Sequence, residues 1–175
     1  DGSGNPWFRA DVALRGDRIA GVGDFADATA DAVLDVTGMI VAPGFIDTHS
    51  HAGPGLATPG LSHAEPLLAQ GITTVFVNPD GGGEVDIAAQ RAALLADGLG
   101  VHVAQFVPHG SVRAEVLGMA DRAPAAAELE AMRVLVREGM EAGAWGLSSG
   151  PFYAPGSYAD TGELIELARV AAAHG

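Results

Sequence analysis

Two histidines, His49 and His51, stand one residue apart at the end of an apolar run in "VAPGFIDTHSHA". On an extended segment alternate residues leave on the same face, so both imidazoles could reach one ion at about 2.0–2.1 Å. A bare pair of this kind fits a polar loop equally well. Its setting carries more information, because other polar residues recur in the same position, immediately after an apolar stretch. Asn78, Pro79 and Asp80 follow "GITTVFV" and precede three glycines. His109 and Arg113, in "PHGSVR", follow "VHVAQFV", and Tyr153 and Tyr158 lie in "GPFYAPGSY" after "AWGLSS".

Arginine matches a carboxylate with two parallel hydrogen bonds, so His109 and Arg113 could grip an acidic substrate group. Arg113 could instead pair with Glu115 or Glu141 on the surface. Tyr153 occupies a Gly/Pro-rich loop after an apolar segment, a place that suits binding or packing on a rim. Asp47 either orients a ligating histidine or ends its strand. Ser148 and Ser149 lack the G-x-S-x-G elbow, and the 81–83 glycines lack a following Gly-Lys-Ser/Thr, so neither a serine nucleophile nor a phosphate loop is read there. His63, His102 and His174 read as structural.

These residues need elements to hold them. "DVALRGDRIAGVG" alternates around Gly16-Asp17 and predicts a hairpin, and "AVLDVTGMIVAPG" repeats the pattern around Thr37-Gly38. Four apolar, β-rich segments follow, at 41–47, 71–77, 101–107 and 144–149. Helical stretches separate them. Ser62 with Glu65, and Asp160 with Glu163, have capping-box spacing. Leu129, Met132, Val136 and Met140 share one helical face, as do Leu164, Leu167, Ala168 and Ala171. The alternation β-α-β-α predicts a parallel sheet covered by helices. Strands roughly 30 residues apart keep the pace of a (β/α)₈ barrel of about 250 residues. In a barrel or a doubly wound sheet alike, ligands bind at the C-terminal strand ends, where the polar residues stand.

Composition narrows the chemistry. The chain has 175 residues, about half apolar, which supports a real core. A formal charge of −13 argues against nucleic acid and anionic membrane as partners, and no apolar run is long enough to span a bilayer. There is no cysteine, hence no disulfide or thiolate ligand, and no lysine, hence no Schiff base or carbamylated lysine. No signal peptide is visible; the compartment reads as cytoplasmic, with periplasm left open because the N-terminus that would tell is absent. The start on Asp1 rather than Met, and the end where a fifth strand is due, read as a fragment.

The segment "VAPGFIDTHSHA" resembles the first barrel strand of the amidohydrolase superfamily, and the hairpin-rich stretch before it resembles the small β-sandwich beside that barrel. "LAQGITTVFVN", "HGSVR" and "AGAWGLSSGPFYAPGSYADTGELIELARVAAAHG" together resemble the N-acyl-D-amino-acid deacylase (D-aminoacylase) group. The resemblance implies residues 1–42 in part of the sandwich and 43–175 in the first four βα units of the barrel. It implies Zn²⁺, one or two divalent ions held in part by His49 and His51. It also implies hydrolysis of the amide of an N-acyl-D-amino acid by a metal-activated water, and it favours Tyr153 as a substrate contact. One departure stands out: the family ends its second strand with Gly-Asn-Cys-Gly, whose cysteine binds zinc, and here Asp80 takes the place of the cysteine. Asp80 is thus an expected ligand, although Asp80-Gly81 fits a plain turn equally well. The general base and further histidines are expected beyond residue 175, so the segment alone is expected to be inactive.

Overall fold

The computed structural model describes residues 4–175, which fall into two compact units divided between Pro43 and Gly44. In the first, β1 (Asp11–Arg15) and β2 (Arg18–Gly23) form an antiparallel hairpin. Gly16 adopts φ +61° at its turn, a conformation glycine tolerates at no steric cost. The second hairpin expected from the sequence does not form. Residues 32–43 make only the turn at Thr37-Gly38, closed by a hydrogen bond from Met39 N to Val36 O. Val33, Leu34 and Ile40 there are all more than four-fifths exposed, so alternating apolar residues find no partner strand to pack on.

The second unit is built on parallel strands. β3 (Phe45–Asp47), β4 (Ile72–Val77) and β5 (His102–Gln105) pair in that order. After Phe106 the chain continues as β6 (Val107–Pro108), which pairs in parallel with β7 (Leu147–Ser148). Strand neighbours in space are neighbours in sequence, with no reversal of order among the described residues.

Helices connect them: α1 (Gly53–Leu56), α2 (Glu65–Leu68), α3 (Ile87–Leu95), α4 (His109–Leu117), α5 (Ala126–Glu141) and α6 (Thr161–Ala172). Among the described residues no helix is long and apolar enough to cross a membrane.

Burial follows the two periodicities. In β4, Val75 and Val77 are fully buried and pack with Leu56, Leu94 and Val101. Each such valine contributes on the order of 1.5–3 kcal/mol. Phe76 points to the other sheet face, where its ring lies 5.3 Å from Phe106 and 5.5 Å from Trp145. Met132, Val136 and Met140 of α5 form a second core with Leu167 and Ala171 of α6, the face expected from their spacing. Ala168 is exposed instead, and Glu163 is buried in its stead.

Local signals fared unevenly. Asp160 caps α6 by accepting from Glu163 N at 2.8 Å, and Asp86 caps α3 by accepting from Ala89 N at 2.9 Å. The capping box expected at Ser62 does not form. Ala64, at φ +54°, precedes α2, and the Ser62 hydroxyl is buried without a hydrogen bond. Helix α4, which begins on the residues read as a strand-end loop, was not foreseen.

Candidate metal centre

Strand β3 is short because Asp47 ends it. The Asp47 carboxylate accepts from His49 N at 3.1 Å, so it fixes the turn between the strand and the two histidines through the backbone. Ser50 N then donates to Phe76 O at 2.9 Å, and Ser50 is buried. That contact keeps the in-out alternation going one step past the strand. His49 and His51, on either side of Ser50, therefore both project outward, with ring centroids 5.5 Å apart.

Asp80 arrives from the end of β4. The chain turns through Asn78 (φ +61°) and Asp80 (φ +56°), two non-glycine residues in the left-handed region. Asn and Asp are the residues that tolerate that region best, at an expense of about 1–2 kcal/mol each. Surrounding contacts hold the strain. The Asn78 amide donates to Gln90 Oε1 at 2.9 Å and to Phe106 O at 3.0 Å, and accepts from Gln90 Nε2 at 2.8 Å. Gln105 Nε2 donates to the same Gln90 oxygen at 2.6 Å. Ser148 Oγ donates to Asn78 O at 2.6 Å and accepts from Gly81 N at 3.1 Å. The β7 end lies so close that a Cβ on Gly150 would stand 2.2 Å from Asp80 O, which only glycine permits.

This scaffold places Asp80 Oδ2 at 3.1 Å from His49 Nε2 and 3.3 Å from His51 Nε2. The three donor atoms lie within 4.8 Å of one another. A tetrahedral ion with bonds of about 2.0–2.1 Å has ligand–ligand edges of about 3.3–3.4 Å, so the two edges to Asp80 fit zinc. The donor set, two imidazoles and a carboxylate, suits a borderline divalent metal. Side-chain exposures of 59% for His49, 72% for His51 and 30% for Asp80 leave the far side of the cluster open.

The other expected site residues do not join it. His109 and Arg113 are fully buried and meet Glu163 of α6: His109 Nε2 lies 2.8 Å from Glu163 Oε1, and Arg113 Nη1 pairs with Oε2. Arg113 Nη2 donates to the carbonyls of Ala120 at 3.1 Å and Arg122 at 2.6 Å. The expectation that they grip a substrate carboxylate gives way to this assignment, because the carboxylate they hold is the protein's own. Neither Glu115 nor Glu141 is the partner. Glu163 was legible only as a capping residue, and nothing in the local sequence signals a contact 50 residues distant. Tyr153 is 55% exposed in its loop, with Phe152 packed edge-on at 5.3 Å. The amides of Gln90 and Gln105 were also missed, since of the three only Asn78 stood at a strand end.

A family model described as the amidohydrolase family matches residues 32–174. The chain is 40% identical over 198 residues to a D-aminoacylase and 41% identical over 199 residues to an N-acyl-D-glutamate deacylase, both of Alcaligenes xylosoxydans xylosoxydans. Each match covers 100% of this chain and 40% of the relative, so the chain spans about two-fifths of the length of these curated relatives. Among solved structures, a D-aminoacylase described as having a binuclear metal centre superposes with a TM-score of 0.92 at 34% identity, over 100% of this chain and 41% of that one. An N-acyl-D-glutamate deacylase from Bordetella bronchiseptica, complexed with zinc and a phosphonate mimic of the tetrahedral intermediate, gives 0.88 at 36% identity over 99% and 41%.

Proposed function

The chain belongs to the amidohydrolase family, and on that premise we propose that it carries part of the metal site of an enzyme that hydrolyses N-acyl-D-amino acids to a carboxylate and a free D-amino acid. Residues 43–175 supply the first four βα units of a (β/α)₈ barrel, and residues 1–42 supply part of a small β-sandwich. The sequential parallel order of β3, β4 and β5, continued by β6 and β7, supports the barrel reading.

The carrying observation is the spacing of Asp80 Oδ2 from the two imidazoles, which matches the edges of a tetrahedral zinc site. His49, His51 and Asp80 would hold the ion. A divalent ion there supplies Lewis acidity, making water nucleophilic near neutral pH and polarising an acyl carbonyl. The chain's own residues do the positioning. Asp47 fixes the backbone of the first ligand, and Ser148 and Asn78 fix the turn that presents the third. Tyr153, exposed in the loop after β7, is the proposed substrate contact.

The test uses the complete gene product. Metal content is measured for wild type and Asp80→Ala, and turnover is compared for N-acetyl-D-amino acids, their L-forms and cyclic imides. We expect at least one equivalent of metal to be lost in the variant, with turnover confined to the D-forms. Unchanged stoichiometry would remove Asp80 from the site, and turnover of cyclic imides alone would overturn the substrate assignment.

A further inference from the structure

One polar contact of the buried cluster reaches the surface. Ser149, which is exposed, follows β7 directly, and its Oγ lies 3.2 Å from His109 Nδ1. The proton positions along this chain follow from its members. Glu163 meets a guanidinium on Oε2 and an imidazole on Oε1, all with fully buried side chains. Neutral His109 makes this cluster electrically balanced, whereas an imidazolium would leave a net positive charge away from water, at a heavy desolvation cost.

A carboxylate only accepts, so the single proton of neutral His109 sits on Nε2 and faces Glu163. Nδ1 is then a bare lone pair, and Ser149 must donate its only hydroxyl proton to it. What Ser149 presents on its open side is therefore acceptor character alone. No other group among the described residues hydrogen-bonds its hydroxyl. The position is also the right one. Ser149 Cα lies 3.3 Å from the Cβ position of Gly81, the residue after Asp80, so Ser149 stands at the same strand end as Asp80.

We propose that Ser149 is a specificity-determining residue that accepts the hydrogen bond of the substrate's amide N–H, its hydroxyl aimed by the buried His109–Glu163–Arg113 relay. The inference rests on the amide-hydrolase reading above. An oxygen ester of the same acid places a lone pair where the amide carries N–H, and an acceptor-only serine disfavours it.

The experiment compares, in the metal-loaded complete gene product, an N-acetyl-D-amino acid that wild type turns over with the ester in which oxygen replaces that N–H. The ester is followed as substrate or, if it is not cleaved, as a competitive inhibitor. We expect Ser149→Ala to lower the amide-over-ester preference by about tenfold, one hydrogen bond's worth, and Ser149→Thr, which keeps the hydroxyl, to restore it. Metal content should stay at the wild-type value in both. A preference that stays within twofold of wild type in Ser149→Ala, or a threonine variant that behaves as alanine does, would overturn the role of the hydroxyl. A metal-loaded wild type that turns over no N-acyl-D-amino acid would overturn the functional reading itself, and this inference with it.

Discussion

The second unit holds two clusters of the same chemical types, histidine against carboxylate, in opposite settings. At the mouth, His49 and His51, both largely exposed, face a 30% exposed Asp80 at 3.1 and 3.3 Å. Behind it, His109 faces Glu163 at 2.8 Å with both side chains fully buried. The inner carboxylate also has a guanidinium on its second oxygen, and so its charge is already answered. Among the described residues the outer carboxylate faces two imidazoles and no guanidinium. The inner cluster pairs its charges inside the protein, whereas the outer one, with Asp80 on left-handed backbone, leaves its donor groups partly exposed.

The largest effect is expected from removing the inner carboxylate. Glu163→Ala leaves Arg113 charged and buried without a counter-ion, and should destabilise the fold by about 3–5 kcal/mol. Urea unfolding followed by circular dichroism measures it. A loss below about 1 kcal/mol would mean that the cluster is not sealed and that the contrast with the mouth is false.

The same deletion at the mouth should behave differently. Asn tolerates the left-handed conformation that Asp80 occupies, so Asp80→Asn keeps the turn and removes only the charge. In metal-free protein the stability change should stay within about 1 kcal/mol, as for partly exposed ion pairs. Metal affinity should nevertheless fall, read by titration against a chelator. A stability loss as large as that of Glu163→Ala would place Asp80 among the structural residues.

The contrast also explains what the sequence could convey. His49 and His51 were legible because two-residue spacing after an apolar strand converts directly into shared direction, and Ser50 preserves that alternation in the fold. Asp80 was legible through its place at the end of β4, although its left-handed backbone was not. The parallel order of strands was legible from the β-α alternation, and the α5 face from its 3–4 spacing. His109 and Arg113 were misread because burial and partner choice are long-range. Glu163 reaches them from α6, and no local pattern distinguishes a capping glutamate from one that turns inward. The expected strand pairing around Thr37-Gly38 failed for a related reason, since alternation creates a face without supplying something to cover it.

A third carboxylate gives the smallest and most specific test. Glu128, at the start of α5, accepts from Arg122 through both guanidinium nitrogens at 2.7 and 2.6 Å and from Ala125 N at 2.7 Å. The Arg122 hydrogen bonds, then that backbone N–H, hold its carboxyl down at about 2, against an ordinary value of 4.5. Because the folded-state value is depressed, the stabilising contribution is complete above about pH 4.5 and is lost as the pH falls towards 2. Glu128→Gln should therefore be slightly less stable than wild type at neutral pH and should lose less on acidification. The two unfolding midpoints should converge between pH 4.5 and 2. This pair also touches the inner cluster, since the Arg122 carbonyl accepts from Arg113 Nη2 at 2.6 Å. If that carbonyl depends on the surface pair to stay in place, the neutral-pH loss in Glu128→Gln will exceed that of an isolated surface ion pair. The inner cluster would then extend to the surface on the α5 side, as it does through Ser149 at the strand end. A loss no larger than for an isolated pair would confine it to His109, Arg113 and Glu163.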